Sequence, residues 1–263
     1  MEILTELVTP FNEANQIDFN SLASLLQQQL NLGITNFYIS NALSQYATLS
    51  IGEQKKYYDF IKNFASNSKL YLEIPMNLYF TEIKENLFYY SSIDYFVGKH
   101  FLKEEIVNLE KLNKPYYLYI DQIDESILNV PHKSLRGVVI DKSEKKLVKQ
   151  FKASYSNLKI ITKQKTKVRN SINYEVDGFC SSLPLIIGED MLYYIDNVQY
   201  SNNVEILEDY IDMISNYIDR AKQEVDLIKY LLYKKKIIPH YHQFDFFSQR
   251  QKVFLDDLSN RIY

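Results

Sequence analysis

Cysteine, glycine and proline are scarce in this sequence, and tryptophan is absent. Cys180 is the only cysteine in 263 residues, so no intrachain disulfide forms and nothing signals an oxidising compartment. Six glycines are few. Loops that cradle phosphate need backbone that can approach closely, usually at glycine. Neither GxGxxG nor GxxxxGK[ST] occurs, which argues against nucleotide binding through those loops. Charge of either sign is also not in large excess. The net charge is −3 and the pI about 5.9, with Lys and Arg spread along the chain, so no basic face for nucleic acid is expected. The short runs Lys145-Lys146 and Lys234-Lys235-Lys236 read as solvated helix faces or ends. No apolar run approaches the about 18 residues that span a bilayer. The opening Met1-Glu2-Ile3-Leu4-Thr5-Glu6 lacks the basic start and apolar core of a signal peptide. A cytoplasmic protein with no nucleic-acid or membrane partner is the expectation.

What is present is 46% hydrophobic residues and 23 tyrosines, enough for one large core. Short apolar, β-rich runs at residues 3–8, 34–40, 70–75, 93–97, 116–121, 137–141, 158–162 and 176–181 alternate with amphipathic helical patterns. Continuous apolar runs of this kind suit parallel strands covered by helices. Eight of them predict a (β/α)8 TIM barrel over residues 1–200. Asp18 is placed to cap one helix, and Ser50-Ile51-Gly52-Glu53 forms a capping box for another. Residues 204–220, 225–236 and 246–262 carry helical spacing, and no linker precedes them. Residues 201–263 therefore read as C-terminal helices packed on the barrel within one domain.

The segment Thr5-Glu6-Leu7-Val8-Thr9-Pro10-Phe11, followed by Ile17-Asp18-Phe19, resembles the T-A-L-V-T-P-F … I-D-F opening of the dihydrodipicolinate synthase / N-acetylneuraminate lyase family. Gly33-Ile34-Thr35 … Ala47-Thr48-Leu49-Ser50 and Val176-Asp177-Gly178 are similar to later family segments, and so is Ile228-Lys229 before Leu231-Leu232. The resemblance runs through nearly the whole chain. It implies a class I aldolase-type lyase, in which a barrel lysine forms a Schiff base with pyruvate or another small 2-oxo acid. The protonated imine then acts as an electron sink. It also implies a homo-oligomer, dimer or tetramer. Phe88-Tyr89-Tyr90 and Tyr193-Tyr194-Ile195 are aromatic stretches suited to an interface or to packing helices on the barrel.

Individual motifs depart from the family pattern. Pro115-Tyr116-Tyr117-Leu118-Tyr119 is similar to the family's fifth strand, and the resemblance puts Tyr119 on the proton-relaying tyrosine. Ile120-Asp121-Gln122 replaces N-V-P. No arginine follows in residues 122–128, where the synthases use one for a second substrate. Val138-Val139-Ile140-Asp141-Lys142-Ser143 resembles V-G-I-K-[DE]-[AS]-S in two registers. With a one-residue gap, Lys142 is the Schiff-base nucleophile. Without a gap, Asp141 takes that position, and strand parity favours this register unless a bulge intervenes. Asn41-Ala42-Leu43-Ser44-Gln45 stands where the family has the carboxylate-binding G-T-T-G-E. Asn41, Ser44 and Gln45 retain hydrogen-bonding groups for a different ligand; otherwise the loop fills space.

Carboxylates have entered the strands instead. Glu6, Glu73 and Asp141 lie in or at the ends of strands, Asp121 follows the fifth, and Lys99, Lys142 and Lys163 lie near strand ends. Inward carboxylates must pair with lysines or bind ligand. The expected centre is Glu6, Glu73 and Asp141 with Lys142; the opposing view leaves several of them in water. No metal site and no cofactor is expected. His240-Tyr241-His242 reads as a loop rather than a ligand pair, and Cys180 as packing rather than a reactive thiol. An active Schiff-base lyase using Lys142 and Tyr119, and a catalytically silent ligand-binding or assembly relative, both remain open.

Overall fold

The computed structural model describes residues 1–74, 80–99, 109–120, 133–141, 145–163, 168–198, 204–220 and 224–239, together with 256 and 259. Eight parallel strands close a barrel in chain order. They are β1 (Glu2–Glu6), β2 (Asn36–Ile39), β3 (Lys69–Ile74), β4 (Tyr95–Lys99), β5 (Tyr116–Tyr119), β6 (Leu135–Ile140), β7 (Lys159–Thr162) and β8 (Gly178–Ser181). The ring closes through β1 and β8, where Leu4 pairs with Cys180. Each strand lies within or overlaps one of the eight apolar runs. The expected ends at Pro75 and Asp121 lie outside the described residues.

Helices surround the barrel: α1 (Phe19–Asn31), the short α2 (Asn41–Ser44), α3 (Ile51–Phe64), α4 (Phe80–Glu85), α5 (Lys145–Ser154), α6 (Val168–Asn173) and α7 (Leu183–Asn197). Asp18 caps α1 by accepting from the backbone N–H groups of Asn20 and Ser21. Ser50 and Glu53 close a reciprocal capping box on α3, satisfying two N–H groups that a bare helix end leaves unpaired. Two further helices, α8 (Glu205–Arg220) and α9 (Glu224–Lys234), follow the barrel. They pack against α7, against each other and, for α9, against α2. Most of the expected helix over residues 246–262 lies outside the described residues, as do His240 and His242.

Side-chain alternation divides the apolar residues into two cores. One lies between strands and helices and takes residues such as Phe37, Ile39, Leu70, Leu72, Leu118, Val138, Ile140 and Ile160. The other fills the barrel interior with Leu4, Tyr38, Tyr71, Val97, Tyr117, Tyr119, Val139, Ile161 and Cys180. The interior is largely aromatic: the Tyr71 and Tyr95 rings stack at 4.6 Å, and both approach Tyr117. Gly137 makes room for this packing. A Cβ there would lie 2.1 Å from the Lys159 carbonyl oxygen and 2.7 Å from the Tyr117 ring. Pairing of β5 with β6 skips Arg136 between Tyr116↔Leu135 and Tyr117↔Gly137. This bulge sets which β6 residues face inward.

Candidate functional site

Barrels of this type carry their chemistry at the C-terminal ends of the strands. Six polar side chains converge there in this chain, five of them by period-2 continuation of an inward residue. Leu4 leads to Glu6 on β1, Tyr71 to Glu73 on β3 and Tyr117 to Tyr119 on β5. Val139 leads to Asp141 just beyond β6, and Ile161 to Lys163 just beyond β7. Tyr38 on β2 completes the set.

Lys163 is the centre. Its backbone N–H continues the ladder by donating to the Ile140 carbonyl, which holds the side chain over the barrel axis. Nζ donates to Glu6 Oε1 at 3.0 Å and lies 3.8 Å from Glu73 Oε2. It also sits 4.7 Å over the Tyr38 ring. Side-chain exposure is 13% for Lys163, 3% for Glu6 and 10% for Glu73, so water screens these charges little. Burial alone would lower the Lys163 pKa, but Glu6 first, then Cys180, Glu73 and Tyr119, outweigh it and hold the ammonium well above its ordinary value. Tyr38 donates from its hydroxyl to Glu73 Oε2 at 2.8 Å. Tyr46 donates to the Glu73 carbonyl at 2.6 Å. Burial, with Glu73 beside it, pushes the Tyr38 phenol well above its usual range.

The second group is Tyr119 and Asp141. The Tyr119 hydroxyl donates to Asp141 Oδ1, so the aspartate, itself exposed, meets the buried tyrosine at the end of β6. Burial and then this hydrogen bond raise the Tyr119 pKa. The phenol is thereby held protonated, with its proton on a carboxylate. Lys142 lies outside the described residues, as does Asp121, and the side chain of Lys99 is not described.

The residues replacing the family's carboxylate loop go elsewhere. Asn41 opens α2; its side chain is not described. Ser44 is buried, and its hydroxyl donates to the Ser40 carbonyl. The Ser44 carbonyl accepts from Thr9 at 2.5 Å. Gln45 adopts a left-handed backbone, φ 52, and its Oε1 accepts from Lys229 Nζ at 2.7 Å. Lys229, on α9, also lies 4.7 Å over the Phe11 ring, and burial lowers its pKa to about 8 against the opposing pull of Asp226. The sequence reading named Lys163 only as a lysine near a strand end and gave Lys229 no role. Counting two residues on from Ile161 finds the first. The second is a lysine on the helix face that also carries Leu231 and Leu232.

Among the described residues, no group of three or more His, Cys, Asp or Glu side chains is placed to hold a metal ion. No helix among them is long and apolar enough to cross a membrane.

No family model matches the chain, and no curated protein matches it by sequence. Solved structures do. The N-acetylneuraminate lyase of Fusobacterium nucleatum, in complex with pyruvate, superposes with a TM-score of 0.82 at 15% identity, covering 99% of this chain and 96% of that one. The dihydrodipicolinate synthase of Bacillus clausii gives 0.82 at 15% identity, with 99% and 97% covered. The N-acetylneuraminate lyase of Mycoplasma synoviae gives 0.78 at 13% identity, with 99% and 97% covered. At these identities the likeness is one of fold: the chain has the (β/α)8 architecture of the dihydrodipicolinate synthases and N-acetylneuraminate lyases, from end to end.

Proposed function

We propose that this chain is a divergent relative of those lyases that has given up Schiff-base chemistry and keeps the barrel mouth as a site for a small polar ligand. The observation that carries this reading is the Lys163 ammonium, held between Glu6 and Glu73. A Schiff-base lysine must reach its neutral form to attack a carbonyl, and two buried carboxylates oppose loss of that proton. Three further points agree. Asp141 takes the inward position at the end of β6 and engages Tyr119. Gln45 Oε1 accepts from Lys229 and the Ser44 hydroxyl donates to the Ser40 carbonyl, so both groups have partners within the chain. Among the described residues of the mouth, the carboxylates Glu6, Glu73 and Asp141 outnumber the ammonium, which disfavours a 2-oxo acid and suits a ligand rich in hydroxyl or amine donors. The lineage further implies a homo-dimer or tetramer, which light scattering measures.

The test is reductive trapping. The protein is incubated with pyruvate, and separately with other 2-oxo acids, in the presence of borohydride, and its intact mass is read. No covalent gain is expected, and Lys142→Ala changes nothing. A stable adduct mapped to Lys142 or to Lys163 overturns the proposal and restores the lyase reading, with Tyr119 as the acid/base group.

A further inference from the structure

Helix α9 meets the mouth end of the barrel at three junctions between strand and helix. Glu224, its first residue, accepts from the Ser182 hydroxyl at 3.2 Å, just beyond β8. Lys229 Nζ lies 4.7 Å over the ring of Phe11, in the loop after β1. The same ammonium donates to Gln45 Oε1 at 2.7 Å, in the corner after β2. The far end of α9 is fixed as well. Lys235, just past the helix, donates to the Ile186 carbonyl beside a break in α7 at Ile187, whose backbone (φ −128, ψ 42) is not helical.

The corner needs a partner of this kind. Gln45 has left-handed backbone angles, φ 52 and ψ 26, where Cβ crowds the following carbonyl oxygen. Its side chain makes no capping hydrogen bond to the turn that it opens and instead engages Lys229. Lys229 is only 9% exposed, so little water competes for this charge-assisted bond.

What the corner holds lies in the mouth. Tyr46, the next residue, is buried and donates to the Glu73 carbonyl at 2.6 Å. Glu73 in turn accepts from Tyr38 at 2.8 Å and faces the Lys163 ammonium at 3.8 Å. The backbone angles of Gln45 set the direction of Tyr46, so relaxing them to an ordinary conformation would move the Tyr46 hydroxyl off the end of β3. We infer that Lys229 is a positioning residue for the barrel mouth: by holding Gln45 left-handed it keeps Tyr46 on Glu73, and so fixes the carboxylates around Lys163. The C-terminal helices thereby set the shape of the site that a ligand meets. This role rests on the mouth being a ligand site, whereas its test reads the protein alone, so either can fail without the other.

The test combines hydrogen exchange, read by mass spectrometry, with nitrogen–proton NMR spectra of the lysine ammonium groups in the full-length protein at pH 7. The Lys163 signal is assigned by its loss in Lys163→Arg. Lys229→Met is expected to speed exchange about tenfold in peptides covering the hydrogen-bonded amides of Ser44, Thr48 and Leu49. It is also expected to shift or broaden the Lys163 signal, while exchange in α5 stays unchanged. Gln45→Met breaks the same contact from the corner, at a half-buried position, and is expected to reproduce both effects. Gln45→Gly added to Lys229→Met is expected to restore both, because glycine takes the left-handed conformation unaided. Wild-type values in Lys229→Met or in Gln45→Met overturn the inference. So does exchange that rises equally in the corner and in α5, which marks general destabilisation. A double variant no better than Lys229→Met assigns the lysine a packing role and overturns it too.

Discussion

Replacing Lys163 by methionine removes the cation at the barrel centre while keeping its bulk. The ammonium lies 3.0 Å from Glu6 and 3.8 Å from Glu73. With an effective dielectric constant of about 20, these separations correspond to about 5.5 and about 4.4 kcal/mol of gross attraction. Desolvating the three groups offsets several kcal/mol of that, so the net worth of the cluster is much smaller than the sum. Removing one partner is another matter, because two carboxylates are then left facing each other in a nearly dry interior. The expected loss is about 3–5 kcal/mol at pH 7, read from urea unfolding as a lower midpoint with an unchanged slope. The loss is also pH-dependent, with a definite sign. In the variant, burial and mutual repulsion raise a folded-state carboxylate pKa above the unfolded value of about 4.3. The folded variant then holds more protons than the unfolded chain above that pH, so its stability falls as pH rises. The deficit relative to wild type should shrink toward pH 5. Adding Glu6→Gln and Glu73→Gln to the variant should recover most of the loss at pH 7. A deficit under about 1 kcal/mol, the scale of an exposed ion pair, refutes the reasoning, as does a deficit that does not change on acidification.

Lys229 supplies a second pH signature. Its folded pKa of about 8 lies below the ordinary 10.5, so between those values the unfolded chain holds the extra proton and folding gains as pH rises. Wild type should therefore gain on Lys229→Met by up to about 1.4 kcal/mol per pH unit above pH 8, in thermal or urea melts from pH 7 to 9.5; parallel curves across that window contradict the assignment. Gly137→Ala is expected to destabilise by more than about 3 kcal/mol, or to prevent folding, because the new methyl meets a backbone carbonyl that cannot move aside; a midpoint within experimental error of wild type means that β6 and β7 lie further apart than described.

The barrel was legible because its signals are local and repeated. Each strand is a short apolar run, and each of the two helix starts read from sequence rests on a residue, Asp18 or Ser50, whose side chain meets nearby backbone. The site was less so. Glu6 and Glu73 stood out as charged residues inside apolar strands, and the structure brings both to one ammonium. That the ammonium belongs to Lys163 depends on where β7 stops relative to its inward residue, which one sequence does not display. Lys229 was hidden differently. Its partner Gln45 lies 184 positions away, and such contacts follow from how the C-terminal helices dock, a property of the whole tertiary arrangement. Asp141 follows the inward Val139 by two residues, in the register that strand parity favoured from the sequence.

Helix α9 grips Gln45 through Lys229 beside the barrel mouth and enters the break in α7 through Lys235. Six residues, about 9 Å at the 1.5 Å per residue of a helix, separate the two attachment points, Lys235 lying just past the helix end at Lys234. A rod that short does not stretch, so a displacement imposed at one attachment is delivered at the other. The break in α7 and the corner that follows β2 are thus tied to one short helical segment.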